Sequence, residues 1–310
     1  MSAFPIPEPK PVNASHRSGS GLQARIAMSE RNEPGITLAL GGGFSRGFAH
    51  LGVLEVLERE RLPISRIVGT SIGALLGAAY ADGISLRDLC DLGRRVHIRD
   101  FLRFHPREPK SGVQRKDCIG QFVQKWFRTG LLEELPIPIS IVATDLDTGG
   151  PYVFSRGPVE VAIRASCAFP GLVKPVEHEG HLLVDGCIVA PVPTAIAARN
   201  NEGCVLGVNV GSTEDDSEPS REVVKVIDAK LRISRQGTLE PSWFRYADVI
   251  LEPKVRHLDW SDFSRVDEAV AAGADALRSA LPAIREILAR QRQLIAPQNL
   301  STGSERGLPL

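Results

Sequence analysis

The chain has 310 residues, 37 Lys plus Arg balanced by 37 Asp plus Glu, and a sequence pI near 7.1. That length suits one α/β domain with tails better than two full domains, and the neutral balance removes the electrostatic case for a nucleic-acid partner. No apolar run approaches the ~20 residues needed to span a bilayer, and the N-terminus carries no apolar signal core, so a cytoplasmic protein is expected.

In chain order, Pro5, Pro7, Pro9, Pro11 and the Ser/Gly stretch through Gly21 predict a disordered arm over residues 1–34. One domain is expected over residues 35–295. Ile36-Thr37-Leu38-Ala39-Leu40 reads as a strand, followed by the glycine-rich turn Gly41-Gly42-Gly43-Phe44-Ser45-Arg46-Gly47. A helix over 47–61 comes next, whose Leu51, Leu54, Val56 and Leu57 leave Glu58, Arg59 and Arg61 to solvent. A second βα unit runs through strand 66–69, the turn Gly69-Thr70-Ser71-Ile72-Gly73 and helix 72–82, which Gly83 closes.

Residues 84–134 read as helical. Between 94 and 116, Arg94, Arg95, Arg99, Arg103, Arg107, Lys110, Arg115 and Lys116 are opposed only by Asp100 and Glu108, and interleaved with Phe101, Leu102 and Phe104. Such a segment is either a solvated helical face or a docking surface for anionic lipid headgroups.

Ile139-Ser140-Ile141-Val142-Ala143 and Tyr152-Val153-Phe154 predict strands joined by the hairpin-type turn Asp147-Thr148-Gly149-Gly150. A helix with Pro158 as its first residue is expected to end near Ala168. Strands are expected around 181–186, 205–210 and 249–251, with a polar loop over 212–222. The last helix, 267–292, carries Val270, Ala274, Leu277, Leu281, Ile284 and Leu288 on one stripe, ahead of a disordered tail over 296–310. Strands alternating with helices predict an α/β fold, a mostly parallel sheet covered on both faces.

Two turns carry chemistry. A serine between glycines at a strand-to-helix turn is a nucleophile elbow, which lifts the Ser71 hydroxyl to the mouth of the sheet. A glycine-rich turn on a neighbouring strand can aim backbone N–H groups at the spot where that hydroxyl reacts. Acyl transfer needs both. Phosphate binding by the first turn fits poorly, because a Walker loop requires Lys and then Ser or Thr where Phe48 and Ala49 stand. A dinucleotide fingerprint needs glycine in place of Arg46 and an acid where the next strand ends in Ser71. The competing role for Ser71 is a helix cap.

A serine hydroxyl needs a partner to take its proton. Of the histidines, His50 is expected to pack or to face solvent, and His257 completes a Ser71–Asp185–His257 order of the α/β-hydrolase kind. Those hydrolases build several strands before the elbow, whereas one βα unit precedes it here. The other candidate base is Asp185, at the end of an apolar strand and followed by Gly186. A carboxylate ordinarily titrates near 3.9, so it serves as a base only through burial or direct contact with the hydroxyl. Cys90, Cys118, Cys167, Cys187 and Cys204 are odd in number and lack metal-type spacing, which suits reduced thiols.

The chain resembles the patatin-like phospholipases, in the bacterial branch related to neuropathy target esterase. The resemblance rests on Leu38 through Leu54 with its glycine-rich turn, and on Gly69-Thr70-Ser71-Ile72-Gly73-Ala74. It extends through Val142-Ala143-Thr144-Asp145-Leu146, Ala165-Ser166-Cys167-Ala168-Phe169-Pro170 and Asp185-Gly186-Cys187, and covers roughly residues 36–292. It implies a three-layer αβα fold and a lipid acyl hydrolase acting on phospholipids or lysophospholipids, peripherally attached to membrane, with no metal or cofactor. By position, the resemblance makes Ser71 the nucleophile and Asp185 the base of a dyad without histidine. The Gly42–Gly43 turn would supply oxyanion N–H groups and Arg46 would brace it. Two departures stand out: Phe44 replaces a glycine frequent in the family, and Cys187 a Gly or Ala. The readings from other classes are a regulatory or binding protein on the same fold with little turnover, and a His-dependent α/β-hydrolase.

Overall fold

A computed structural model describes residues 34–96, 118–170, 172–199, 203–211 and 243–295. The expectations for residues 1–33, for 97–116 with their basic side chains, for 212–222 and for 296–310 lie outside these residues.

The first unit is β1 (Ile36–Leu40), a 3-10 turn (Phe44–Phe48) and α1 (Ala49–Arg59), and the second is β2 (Ile64–Thr70) and α2 (Ile72–Ala81). The helix expected from residue 47 therefore starts later, because Phe44–Phe48 winds more tightly first. Gly83 closes α2 with a φ of 89, the left-handed angle that favours glycine. Next come α3 (Leu86–Gly93), α4 (Cys118–Trp126), β3 (Ile139–Asp145) and β4 (Pro151–Phe154). Then follow α5 (Val159–Ser166), β5 (Val176–His178), β6 (His181–Asp185), α6 (Thr194–Ala197), β7 (Cys204–Val208), β8 (Val249–Leu251) and α7 (Val266–Ile295). Pro158 caps α5 from outside, with an extended ψ of 123, and is not its first turn.

The sheet order is β5-β6-β3-β2-β1-β7-β8, with β4 pairing β3. Strands β3, β2, β1, β7 and β8 are parallel, while β4, β5 and β6 run antiparallel to their neighbours. The sheet is thus mostly parallel at its centre and mixed at one side.

Both faces of the central strands are buried, as continuous apolar runs require. Leu38, Leu40, Ile67, Ile141 and Leu206 point into a large core beneath α1, α2, α5 and α7. The alternate residues Ala39, Val68, Val142 and Val205 meet a smaller cluster with Val192, Ile196 and Ala197 around α6. The layers are αβα, thick on one side and thin on the other among the described residues. No helix among them is long and apolar enough to cross a membrane.

Candidate active site

Register assembles the site. Thr70 pairs with Val142 of β3, and Asp185 pairs with Ala143 on the same edge of that strand, since β4 occupies its other edge. Ser71 follows Thr70, so the chain leaves β2 level with the point where β6 ends. This lies at the carboxyl end of the parallel strands, beside the switch point where β1 is flanked by β2 and β7, the usual ligand position in an open α/β sheet.

Ser71 has φ 53 and ψ −124. It carries the strained angle of the elbow itself, at a cost of ~1–3 kcal/mol that persists only where the surroundings over-determine it. The flanking glycines serve close approach. A Cβ on Gly73 would stand 2.3 Å from the Leu40 carbonyl oxygen, and one on Gly69 would stand 2.6 Å from Ala74 Cα. The Ser71 hydroxyl makes no capping bond to α2, which removes the helix-cap reading. Instead it donates to Asp185 Oδ2 at 2.6 Å.

Asp185 is buried, 1% exposed, and both of its oxygens are engaged. Oδ1 accepts the Cys187 N–H at 2.8 Å while Oδ2 takes the serine. Its backbone is held as well: the N–H donates to Ala168 O at 3.0 Å, and the carbonyl accepts the Thr144 hydroxyl at 2.8 Å. Gly186 then lets the chain cross β3, since a Cβ there would lie 2.2 Å from Val142 O.

The sequence offered no role for Ser166. It sits at the end of α5 and ties the elbow down, its Oγ accepting the Ser71 N–H at 2.8 Å and donating to Val142 O at 2.7 Å. Its sequence signal is its place in Ala165-Ser166-Cys167-Ala168-Phe169-Pro170, a stretch that carries the family resemblance without giving this serine a role.

The glycine-rich turn lies against the elbow. A Cβ on Gly42 would fall 3.1 Å from Ser71 Cβ and 2.1 Å from Cys187 Sγ, so only glycine fits. Most backbone groups of the turn are engaged. The Gly41 N–H donates to Val208 O at 3.1 Å, the Gly42 N–H to Pro191 O at 3.0 Å, and Gly43 O accepts the Arg46 N–H at 3.1 Å. The Gly42 N–H is therefore not directed at an oxyanion, contrary to the expectation for the Gly42–Gly43 pair. The N–H groups of Gly43 and Phe44 have no acceptor among the described residues.

Arg46 is buried and donates Nε–H to Leu258 O at 2.8 Å and a second N–H to Arg256 O at 3.3 Å. With the Ser45 N–H on Trp260 O at 3.2 Å and the Ser45 hydroxyl on Asp259 O at 3.0 Å, it bolts the turn to residues 256–260.

Phe44 has φ 49, a left-handed angle that costs a bulky residue ~1–2 kcal/mol. Its ring meets Phe169 edge-on at 5.2 Å and Trp260 at 4.9 Å. Each such pair contributes ~0.5–1.5 kcal/mol, so the contacts offset the strain. The departure from glycine is thereby accommodated.

The histidines are elsewhere engaged. His257 Nε2 contacts Glu268 at 2.5 Å on the surface, so the order Ser71–Asp185–His257 is not a triad in space. His50 is fully buried with Nε2 2.7 Å from Gly41 O, and burial holds its imidazole down at a pKa of about 4. The cysteines with described side chains, Cys90, Cys167, Cys187 and Cys204, form no disulfide among the described residues. No group of three or more His, Cys, Asp or Glu among the described residues is arranged to hold a metal ion.

Fold and site together define an α/β protein with a strained serine at a strand-to-helix turn beside a glycine-rich turn. The sequence matches the family description of patatin-like phospholipase over residues 38–198. It is 36% identical over 202 residues to an NTE family protein of Mycobacterium tuberculosis, covering 64% of this chain and 56% of that one. A second NTE family protein of that species is 30% identical over 296 residues, covering 88% and 50%. Patatin-like phospholipase domain-containing protein 6 of Mus musculus is 30% identical over 186 residues, covering 58% of this chain and 14% of that protein. Among solved structures, VipD from Legionella pneumophila aligns over 81% of this chain and 67% of its own, with a TM-score of 0.44 and 13% identity. The chain belongs to the patatin-like phospholipase family and spans about half the length of the NTE family relatives it matches.

Proposed function

We propose that this protein is a serine lipid acyl hydrolase working through a Ser71–Asp185 dyad, with phospholipids or lysophospholipids as the substrate class. The observation that carries the reading is the direct 2.6 Å bond from the Ser71 hydroxyl to a buried carboxylate oxygen. The substrate class rests on family membership.

In this reading Ser71 Oγ attacks the ester carbonyl carbon as its proton passes to Asp185 Oδ2. The carbonyl oxygen becomes an oxyanion, met by the N–H groups of Gly43 and Phe44, which have no acceptor among the described residues. Collapse breaks the ester C–O bond, and Asp185 returns the proton to the departing alcohol. Water then attacks the acyl-serine, gives a proton to Asp185 and releases the fatty acid, after which the proton returns to Ser71. The Cys187 N–H on Oδ1 keeps Oδ2 turned to the serine throughout.

The test is hydrolysis of lysophospholipids, phospholipids and short chromogenic esters by wild type, Ser71→Ala and Asp185→Asn. Each variant should lose essentially all turnover with little change in melting temperature, and the double variant should be no worse than either single, since the residues act as one unit. Turnover by Ser71→Ala would overturn the assignment. Folded wild type inactive on the whole panel would favour a binding role.

A further inference from the structure

His50 is a buried titratable group beside the site that the proposed chemistry leaves unused. It stands in the first turn of α1, fully buried, with Nε2 2.7 Å from the carbonyl oxygen of Gly41. A carbonyl only accepts, so Nε2 carries the hydrogen and the ring is the neutral Nε2–H tautomer. Nδ1 is then a buried acceptor without a hydrogen-bond partner among the described residues. A buried unpaired acceptor is destabilising, and a leucine would avoid it. Stability alone therefore does not account for histidine here.

The bond has a geometric consequence. The Gly41–Gly42 peptide is gripped at both ends, its oxygen by His50 and its N–H by Pro191 O at 3.0 Å. That fixes the plane of the peptide. The same Gly41 oxygen lies over the elbow, since a Cβ on Gly73 would fall 2.7 Å from it. Gly42, whose Cα abuts Ser71, carries on its carbonyl carbon the next N–H, that of Gly43, one of the two in the turn without an acceptor among the described residues.

We propose that His50 is a positioning residue: its Nε2–H locks the Gly41–Gly42 peptide and so aims the Gly43 N–H at the oxyanion that forms on attack by Ser71. This rests on the serine-hydrolase reading above. It assigns His50 no proton transfer, in keeping with a ring that burial keeps neutral until about pH 4.

The full chain with His50→Gln, His50→Asn and His50→Leu tests it. Glutamine places an amide N–H at the reach of Nε2, asparagine falls one bond short, and leucine offers no donor. On a soluble p-nitrophenyl ester, His50→Leu and His50→Asn should lose kcat by ~100-fold, the scale of one oxyanion donor, with KM within about twofold. His50→Gln should recover most of that loss. The rate of Ser71 labelling by an alkyl fluorophosphonate, which passes through a similar charged oxygen, should follow the same order. Urea denaturation checks that the compared variants are folded, and the Gln–Asn pair keeps the comparison sharp if leucine fails to fold. Equal labelling and kcat in wild type and folded His50→Asn would overturn the role of His50 while leaving the dyad standing. A wild type that neither labels at Ser71 nor hydrolyses esters would overturn the dyad and this inference with it.

Discussion

Acid should weaken this protein partly through a single buried ring. Desolvation lowers the His50 pKa from 6.5 to about 4, the hydrogen bond to Gly41 opposing it only in part. The unfolded chain takes up this proton near 6.5, the folded protein only near 4. Between those values the unfolded state binds more protons, so the stability present above pH 6.5 is lost as pH falls toward 4. The shift of 6.5 minus 4, at ~1.4 kcal/mol per unit, amounts to roughly 3 kcal/mol. That is a large part of the ~5–15 kcal/mol that holds a typical domain together. Urea denaturation of wild type and His50→Gln at half-unit steps from about pH 7.5 to 4 isolates the effect, because glutamine does not titrate. Asp259 and Asp262, held below the ordinary carboxylate range by the Ser261 and Ser264 hydroxyls, and Asp267, held there by Arg94, lose their contributions alike in both proteins. The wild type should lose roughly 3 kcal/mol relative to the variant across the window. Parallel stability curves would refute the argument, and with it the claim that the ring is neutral and dry.

Two further outcomes follow from the same geometry and from the sequence. Ser166→Ala leaves the Ser71 N–H and Val142 carbonyl unpaired, and should cost ~1–3 kcal/mol in urea denaturation together with a fall in kcat. Unchanged values would make those bonds incidental. Arg99→Glu, Arg103→Glu and Arg107→Glu together should weaken salt-sensitive sedimentation with anionic vesicles, each basic residue being worth ~1 kcal/mol near such a surface. Soluble-ester turnover should persist in that variant. Unchanged sedimentation would return residues 94–116 to a solvated face.

The elements that the sequence made legible are those whose burial pattern is continuous. Strands 36–40 and 249–251 were readable to the residue, because short apolar runs have clear ends. Strand β5, with Glu177 and His178 among its three residues, and the four-residue α6 have no period long enough to detect. Ser71 and Asp185 were visible as motif residues, but their contact depends on the pairing of Thr70 with Val142 and of Ala143 with Asp185, and no local pattern encodes that. The left-handed angle of the elbow belongs to Ser71 itself and not to its flanking glycines. His50 was expected to pack or face solvent. Its burial follows from the apolar start of α1, while its bond to a carbonyl nine residues upstream leaves no trace in sequence.

The proposed dyad and the glycine-rich turn share one strut, which makes them mutually dependent. The chain leaving β6 supplies Asp185, and two residues later Cys187, whose N–H orients the carboxylate and whose Sγ occupies the space beside Gly42. A methyl group on Gly42 would overlap that sulfur at 2.1 Å. Gly42→Ala should therefore destabilise by ~1–3 kcal/mol, as overpacking does, and should cost activity even though the Gly42 N–H faces Pro191 and not the substrate. The route of the damage is displacement of Cys187 and of the carboxylate it orients. Removing the sulfur should then undo much of it: Gly42→Ala/Cys187→Ala should be more active than Gly42→Ala alone, with a coupling of ~0.5–3 kcal/mol between the sites. Recovery will be incomplete, because the new Cβ still lies 3.1 Å from Ser71 Cβ. Urea denaturation and soluble-ester kcat on the four members of this cycle decide the matter. Strictly additive losses would mean that Gly42 and Cys187 act independently, and that the base and the turn are not held by a common strut.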